Sequence, residues 1–417
     1  MTAPRPKLSI CIPTYNRARY LETAFAAILE QADVGCTFEI LVSDNHSTDD
    51  TPQVIEAWSR RYPQIRSVRQ PKLIGYIDNY LSVHRLAIGE YAVYLADDDR
   101  LVFPVLSNIL RFMDDNPGVA CVHAPWEQWT VLDVGPVNQF YQVDEQRVFG
   151  KHNPIDLFNM IVIKHIFPET CVYRTDPMQK IFFTPFRAYF VFVHLANILE
   201  HGDVAFMPEP FYRSVSNQPG LPPRNSVGGM EVLNNRDGYE GGLEYLALRC
   251  FQYLGFTSIP DDQLPVLRNM IQSFMDTRLI AATEMLVASR SWFRATAEFL
   301  IRRRAAGLLS DEVANGLGHL PALAAQEAFM ETFGGMSSLR SIGVAGFDDD
   351  AAVRGQLLGF RPDAPVHVLG GPAARGLDPA WMLVLAGPHA DRQALIEAGH
   401  LPGLILHEAE IARLFRF

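Results

Sequence analysis

Tyr91-Ala92-Val93-Tyr94-Leu95-Ala96 runs directly into Asp97-Asp98-Asp99. The apolar, β-prone residues read as a buried strand, and the acids begin where it ends. In open α/β sheets the carboxyl ends of the strands are where ligands bind. Three adjacent carboxylates repel one another, so their clustering asks for a cation. Oxygen ligands suit Mg2+ or Mn2+, ions that commonly bridge to substrate phosphates, and a metal-bound diphosphate is the natural inference.

Working outward, Leu8 to Ile12, Phe38 to Val42, Ile65 to Val68 and Val119 to Ala124 are further short apolar runs. Between them lie helix-period segments such as Tyr20, Leu21, Phe25, Ile28 and Leu29. Strands alternating with helices predict an α/β sheet, mostly parallel. Ser47-Thr48-Asp49-Asp50 before Thr51-Pro52 marks a helix entry, with acids near the N-terminal dipole and proline in the first turn. A second triplet, Asp348-Asp349-Asp350, also follows an apolar run. It leads straight into a helical pattern, so its acids are expected to start that helix.

The first triplet has different company. Leu8 to Ile12 leads into Pro13-Thr14-Tyr15-Asn16-Arg17, and Phe38 to Val42 into Ser43-Asp44-Asn45-His46-Ser47-Thr48-Asp49. Gly89-Glu90 introduces the third strand. Three strand ends thus present polar groups on one edge. Together these motifs resemble those of glycosyltransferase family 2, well over residues 7 to 125, loosely over the next hundred and not beyond. The resemblance implies a GT-A fold, a Rossmann-like, mostly parallel sheet.

It further implies that Pro13, Thr14 and Tyr15 line the base and ribose of a nucleotide-sugar donor. Asp44 would contact the nucleobase, typically uracil, with Asn45 beside it and Arg17 near the diphosphate. Asp97 and Asp98 would lie by the ribose and the sugar, with Asp99 the foremost ligand, beside Asp97, of Mn2+ or Mg2+. Gly75 and Asn79 fall where the family has a glycine and an asparagine before the third strand; they either shape the donor pocket or serve as a turn and a polar helix face. Asn16, Asn45 and Asp49 can equally be turn or capping residues.

An inverting transfer needs a carboxylate to deprotonate the acceptor hydroxyl. The family often takes it from a Glu-Asp pair about a dozen residues before a glycine that precedes a strand. The corresponding stretch, Phe190 to His194 ahead of Gly202, contains no acid. Glu169, in Phe167-Pro168-Glu169-Thr170, is one replacement, an acid among aromatics. His194 is another, with its near-neutral titration, set against an ordinary place in an apolar core.

The whole chain has 417 residues, 48% apolar and 20% charged, enough for two or three globular units. Its 36 basic and 47 acidic residues give a net charge of −11, which disfavours nucleic-acid binding. Five cysteines stand far apart with no zinc-type spacing, so a reduced cytoplasm is the expected home. No export signal or membrane span is apparent. We expect a GT-A domain over 1–230, a helical region over 231–336 and a small Rossmann-like α/β domain over 337–417. The Gly- and Pro-dense stretch Ser216 to Gly242 reads as a long loop, a candidate lid. Arg290 to Arg304, with Trp292, Phe293 and Phe299, reads either as an amphipathic helix packing its aromatics inward or as a peripheral contact with the inner face of a membrane.

The sequence therefore predicts a metal-dependent inverting transferase that moves sugar from a nucleotide sugar, most simply UDP-linked, to a glycan, glycolipid, glycoprotein or other lipid-linked acceptor. Homo-oligomerisation is compatible with it. The competing readings are a catalytically silent nucleotide- or sugar-binding protein and a sugar nucleotidyltransferase, although the latter would want a Gly-rich phosphate loop that Pro13 to Arg17 is not.

Overall fold

The computed structural model describes residues 5–30, 35–131, 135–181, 188–216, 236–288, 293–305, 307, 309–333 and 340–417. The chain forms two compact units, one of Met1–Asn225 with Asn235–Phe274, the other of Ser226–Asn234 with Met275–Phe417. The helical stretch is shared between them. Most of the candidate lid, 217–235, lies outside the described residues, as do Arg290 and Trp292, and the lid's last stretch, 236–242, is helix rather than loop.

In the first unit, β1 (Leu8–Thr14), α1 (Ala18–Glu30), β2 (Phe38–Asp44), α2 (Thr51–Arg61), β3 (Ile65–Arg69), α3 (Tyr76–Arg85) and β4 (Tyr91–Tyr94) alternate as expected. There follow β5 (Arg100–Leu101), α4 (Phe103–Asp115), β6 (Val119–His123), β7 (Trp126–Trp129), β8 (Pro136–Gln139), β9 (Arg147–Phe149), α5 (Pro154–Ile163), β10 (Cys171–Arg174), α6 (Thr175–Ile181), α7 (Phe190–Ile198), β11 (Asp203–Phe206), β12 (Tyr212–Val215) and α8 (Arg236–Tyr253). The main sheet has the order β3-β2-β1-β4-β10-β6-β11-β9. Strands β3, β2, β1 and β4 are mutually parallel, whereas β10 lies antiparallel between β4 and β6. A smaller sheet runs β5-β12-β7-β8.

Parallel strands covered on both faces should be largely apolar, and β1, β2 and β4 are, with the buried Ser9 hydroxyl donating to Glu39 of the neighbouring strand. Leu8, Ile10, Ile12, Ile40, Val42, Tyr91 and Val93 are buried in one core with Leu21 and Phe25 of α1 and Leu106 and Ile109 of α4. The Gly-Glu-Tyr entry to β4 has a structural explanation. A side chain at Gly89 would meet the backbone of Ser9 at 2.6 Å, so only glycine allows this approach. Glu90 pairs with Lys7 at 2.8 Å, and the hydroxyl of the buried Tyr91 donates to Asp114 at 2.7 Å.

The second unit contains α9 (Leu264–Ala288) from Met275 onward, α10 (Phe293–Ala305), α11 (Asp311–Gly316) and α12 (Leu320–Phe333). Strands β13 (Ser341–Ala345), β14 (Val366–Val368), β15 (Met382–Ala386) and β16 (Ile405–His407) form a fully parallel sheet of order β14-β13-β15-β16. Helices α13 (Asp350–Phe360), α14 (Arg392–Glu397) and α15 (Glu408–Ala412) complete it. The aromatics of α10 turn inward: Phe293 is buried and Phe299 packs on the same cluster. Among the described residues no helix is long and apolar enough to cross a membrane.

Candidate functional site

Because β2, β1 and β4 are parallel neighbours, their carboxyl ends share one edge, and Thr14 sits in register with Asp44. The loops beyond them are tied together. Asn16 adopts the left-handed conformation (φ 52°); its N–H donates to Ser47 Oγ at 2.8 Å, and its side-chain oxygen accepts from the N–H of Thr48 at 2.8 Å. His46 is also left-handed (φ 63°). Two non-glycine residues in this sparsely populated region on adjoining turns mark a site shaped under constraint.

The aspartate triplet is buried, with Asp97, Asp98 and Asp99 exposed by 7%, 4% and 3%. Thr14 Oγ1 donates to Asp97 at 2.6 Å, joining the ends of β1 and β4. Arg17 reaches Asp98 at 3.3 Å while its guanidinium lies over the Tyr20 ring. Asp99 faces the smaller sheet: the Tyr212 hydroxyl donates to Oδ2 at 2.8 Å and the Val215 N–H to Oδ1 at 2.9 Å. Burial pushes the Asp97 carboxyl up to about 7, and the neighbouring Asp98 charge adds to the rise. Burial likewise draws the Arg100 guanidinium down.

That rise tests the fit of a cation, since a buried carboxyl that resists ionisation beside a second acid is one that a divalent ion would relieve. Every member of the triplet already has a protein partner, so these residues do not make a closed protein cage. They suit an ion bound through one or two carboxylates and completed by diphosphate oxygens and water, the usual arrangement for Mg2+. The second triplet is different. Asp349 caps α13 by accepting from the Ala352 N–H at 2.9 Å, Asp350 accepts from the Phe347 N–H at 2.8 Å, and Asp348, with its side chain 94% exposed, pairs with His389. These acids start a helix, as expected.

Asp44 is 2% exposed. Its Oδ1 accepts from the Ser47 N–H at 2.9 Å, whereas Oδ2 is buried without a hydrogen-bond donor, Arg69 Nε standing 3.6 Å away. A cavity of about 470 Å3 opens beside it, lined in part by Pro52, Ile55, Ser59 and Arg69. Tyr15 is 41% exposed and Pro13 partly so, leaving an aromatic face at the edge. Asn45 exchanges two hydrogen bonds with the backbone of Ile74, at 2.9 and 3.0 Å, and so fixes the loop before Gly75, the N-cap of α3. Asn79 exchanges two with Ser43, at 2.6 and 3.0 Å, and locks α3 to β2. The polar side chains of Asn45 and Asn79 are thus occupied in shaping the site.

Glu169, on the loop before β10, accepts from the Tyr189 hydroxyl at 2.6 Å and is partly exposed. His194 lies in α7, buried and edge-on to Phe190. Tyr212 and the Val215 N–H, which hold Asp99, are participants that the sequence reading missed. The sole signal was a Tyr in an ordinary Phe211-Tyr212-Arg213 run, more than a hundred residues from the triplet.

Strand order and the chemistry of this edge define a GT-A-type α/β protein. Residues 9–182 match the profile of Glycosyl transferase family 2. Among curated relatives, abequosyltransferase RfbV of Salmonella typhimurium is 34% identical over 113 residues, 27% of this chain and 34% of that protein. The GalNAc(5)-diNAcBac-PP-undecaprenol beta-1,3-glucosyltransferase of Campylobacter jejuni is 35% identical over 107 residues, 25% of this chain and 34% of the other. The chain thus spans about a third of the length of these relatives. Among solved structures, S. aureus TarS 1-349 superposes with a TM-score of 0.40 at 18% identity, over 68% of this chain and 84% of that one. The mannosyltransferase PcManGT from Pyrobaculum calidifontis, in complex with GDP-Man and Mn2+, also gives 0.40, at 17% identity over 79% and 88%.

Proposed function

We propose that this chain is an inverting glycosyltransferase that moves a sugar from a nucleoside-diphosphate sugar, uridine-linked, to a hydroxyl of a glycan, glycoprotein or lipid-linked acceptor. The observation that carries the reading is the meeting of Thr14, Arg17, Asp44 and the buried triplet on one edge of parallel strands, in a segment that matches the profile of Glycosyl transferase family 2. The buried Asp44 Oδ2, ion-paired with Arg69 at 3.6 Å but accepting no hydrogen bond, suits the imide N–H of uracil. Pro13 and Tyr15 offer the base an apolar and aromatic face, and Arg17 is placed to pair with the diphosphate.

Mn2+ or Mg2+ at Asp97 and Asp99 would neutralise charge on the departing nucleoside diphosphate. Asp98 would sit by the sugar, its charge balanced by Arg17. Glu169, oriented by Tyr189, is the first candidate for taking the acceptor proton, and His194 the second. The names of the two curated relatives support a sugar-transferring activity, and the undecaprenol in one of them supports a lipid-linked acceptor. A silent binding protein is the second reading, favoured by the lack of any acid in Phe190 to His194.

Calorimetry with UDP-, GDP- and dTDP-sugars and Mn2+ tests the assignment. UDP-sugars should bind, chelation should weaken binding, Asp44→Asn should lose the preference for uridine, and Asp99→Ala should abolish slow hydrolysis of the donor. Glu169→Gln should leave donor binding intact while lowering transfer roughly 10²- to 10⁴-fold, the usual weight of a general base. Near-normal transfer in that variant eliminates Glu169. Tight UDP binding with no turnover on any donor or acceptor selects the silent binder.

A further inference from the structure

At the carboxyl end of β6, two strands along the sheet from β4, the first unit holds a cluster that the transfer chemistry does not use. Cys121 and His123 are two apart on β6 and so face the same side of the sheet. The antiparallel register sets Cys171 of β10 directly opposite His123. One ligand atom from each of the three lies within 4.8 Å of the others, and all three residues are buried. Cys121 Sγ is 3.7 Å from His123 Nε2.

The imidazole is already set as a ligand would be. Its Nδ1 lies 3.3 Å from the Thr170 carbonyl oxygen. A carbonyl can only accept, so Nδ1 carries the proton and Nε2 turns its lone pair towards the Cys121 sulfur. Metal-bound histidines are oriented by such a bond from the second nitrogen to a carbonyl or carboxylate. The ring is held in place by stacking on Phe206 at 5.1 Å. Buried cysteines usually behave as small hydrophobes. Two of them converging with an imidazole lone pair is a donor set with a use.

We propose that Cys121, His123 and Cys171 form a buried site for a thiophilic d10 cation, Zn2+ in the first place. Zinc-to-sulfur and zinc-to-nitrogen distances of about 2.3 and 2.0 Å set ligand atoms roughly 3.5–3.8 Å apart. Cys121 Sγ and His123 Nε2 already stand at 3.7 Å, and the other pairs, within 4.8 Å, need to close by about an ångström at most, within reach of small side-chain rotations. Two thiolates and a neutral imidazole around Zn2+ carry no net charge, which is the state that burial tolerates. A soft, dry set of two sulfurs and one nitrogen excludes Mg2+ and Mn2+, so the site is chemically separate from the aspartate edge. The ion would staple β6 to β10, the antiparallel neighbours, and thereby steady the strand that begins two residues after Glu169. Such an ion is captured as the strands come together.

The test is metal content and spectroscopy of the intact chain, produced in media supplemented with zinc, copper or cobalt and dialysed without a strong chelator. About one zinc per chain, retained on dialysis, is expected. The cobalt form should show thiolate-to-cobalt charge-transfer bands in the near ultraviolet, which an ion at the aspartates would not give. Cys121→Ser and Cys171→Ser should lose both signals with the far-ultraviolet circular dichroism unchanged. His123→Cys should keep the ion and shift the bands towards an all-sulfur pattern, which preserves the test if the serine variants do not fold. Copper(I) retained in place of zinc would uphold the site and change the ion. The proposal is overturned if neither metal is retained and no charge-transfer band forms, or if mass spectrometry shows Cys121 and Cys171 joined with loss of two hydrogens.

Discussion

His84 shows how a single buried side chain sets an acid limit on the fold. It sits in α3, 1% exposed, with Nδ1 2.7 Å from the Tyr80 carbonyl and its ring 4.4 Å from the Tyr80 ring. Burial draws its titration down to about 4 from an ordinary 6.5, outweighing the backbone hydrogen bond, which acts the other way. Above 6.5 both folded and unfolded chains hold it neutral and it has no effect on the pH dependence of stability. Between 6.5 and 4 the unfolded chain takes up a proton that the folded chain refuses, so stability falls as the pH falls. His84→Phe should remove that component. Urea unfolding followed from pH 7 to pH 4 should show the wild type losing about 3 kcal/mol more than the variant by pH 4. Equal losses in both would mean that His84 is not the group responsible.

Where elements meet, single side chains hold two starts or two sheets at once. Asp49 accepts from the N–H and hydroxyl of Thr51 at 3.0 and 2.6 Å and from the N–H of Ala18 at 3.3 Å, so one carboxylate tethers the first residues of α2 and α1. Burial is the largest single influence and raises its titration, but the hydrogen bonds together outweigh it and hold the group below its usual 3.8. The stabilisation it lends is therefore full above 3.8 and is lost as the pH drops through the lowered folded value. Asp49→Ala should cost about 1 kcal/mol at pH 7, the usual worth of a cap, and the gap between variant and wild type should close in more acidic urea titrations. Tyr212 plays the matching part between the sheets. Its hydroxyl donates to Asp99 and accepts from the Ala96 N–H at 3.1 Å. Tyr212→Phe strips two buried partners at once and should cost about 1–3 kcal/mol in chemical unfolding. It should also weaken Mn2+-dependent donor binding in calorimetry; unchanged binding would show that Asp99 needs no second-sheet support.

Across the whole chain, each compact unit draws its core from its own residues. The clusters around Leu300 and Leu320, around Val344 and Leu385, and around Val384 and Ile405 are all built from residues beyond Met275. Met275–Phe417 expressed alone should therefore unfold cooperatively on heating, followed by circular dichroism. A broad, non-cooperative melt would mean that this core is incomplete. The same segment carries the acidic triplet in which Asp349 caps a helix and Asp348 stands exposed, so the contrast between the two triplets is one of burial and neighbours rather than of composition.

In the first unit the positions of β1 to β4 and β6, the α/β alternation and the polar edge were legible in the sequence, because a strand buried on both faces is largely apolar and its end is marked where polar residues resume. The Pro13 to Arg17, Ser43 to Asp49 and Asp97 to Asp99 motifs were legible for the same reason, each lying immediately past such an end. Tertiary structure alone decided the rest. Tyr212 meets Asp99 because β12 pairs antiparallel with β5, and Cys171 meets His123 because β10 inserts antiparallel beside β6, both pairings between residues distant in sequence. Local periodicity records which side of a strand is apolar; it carries no record of which strand will be its neighbour, since that is fixed by the packing of the whole sheet.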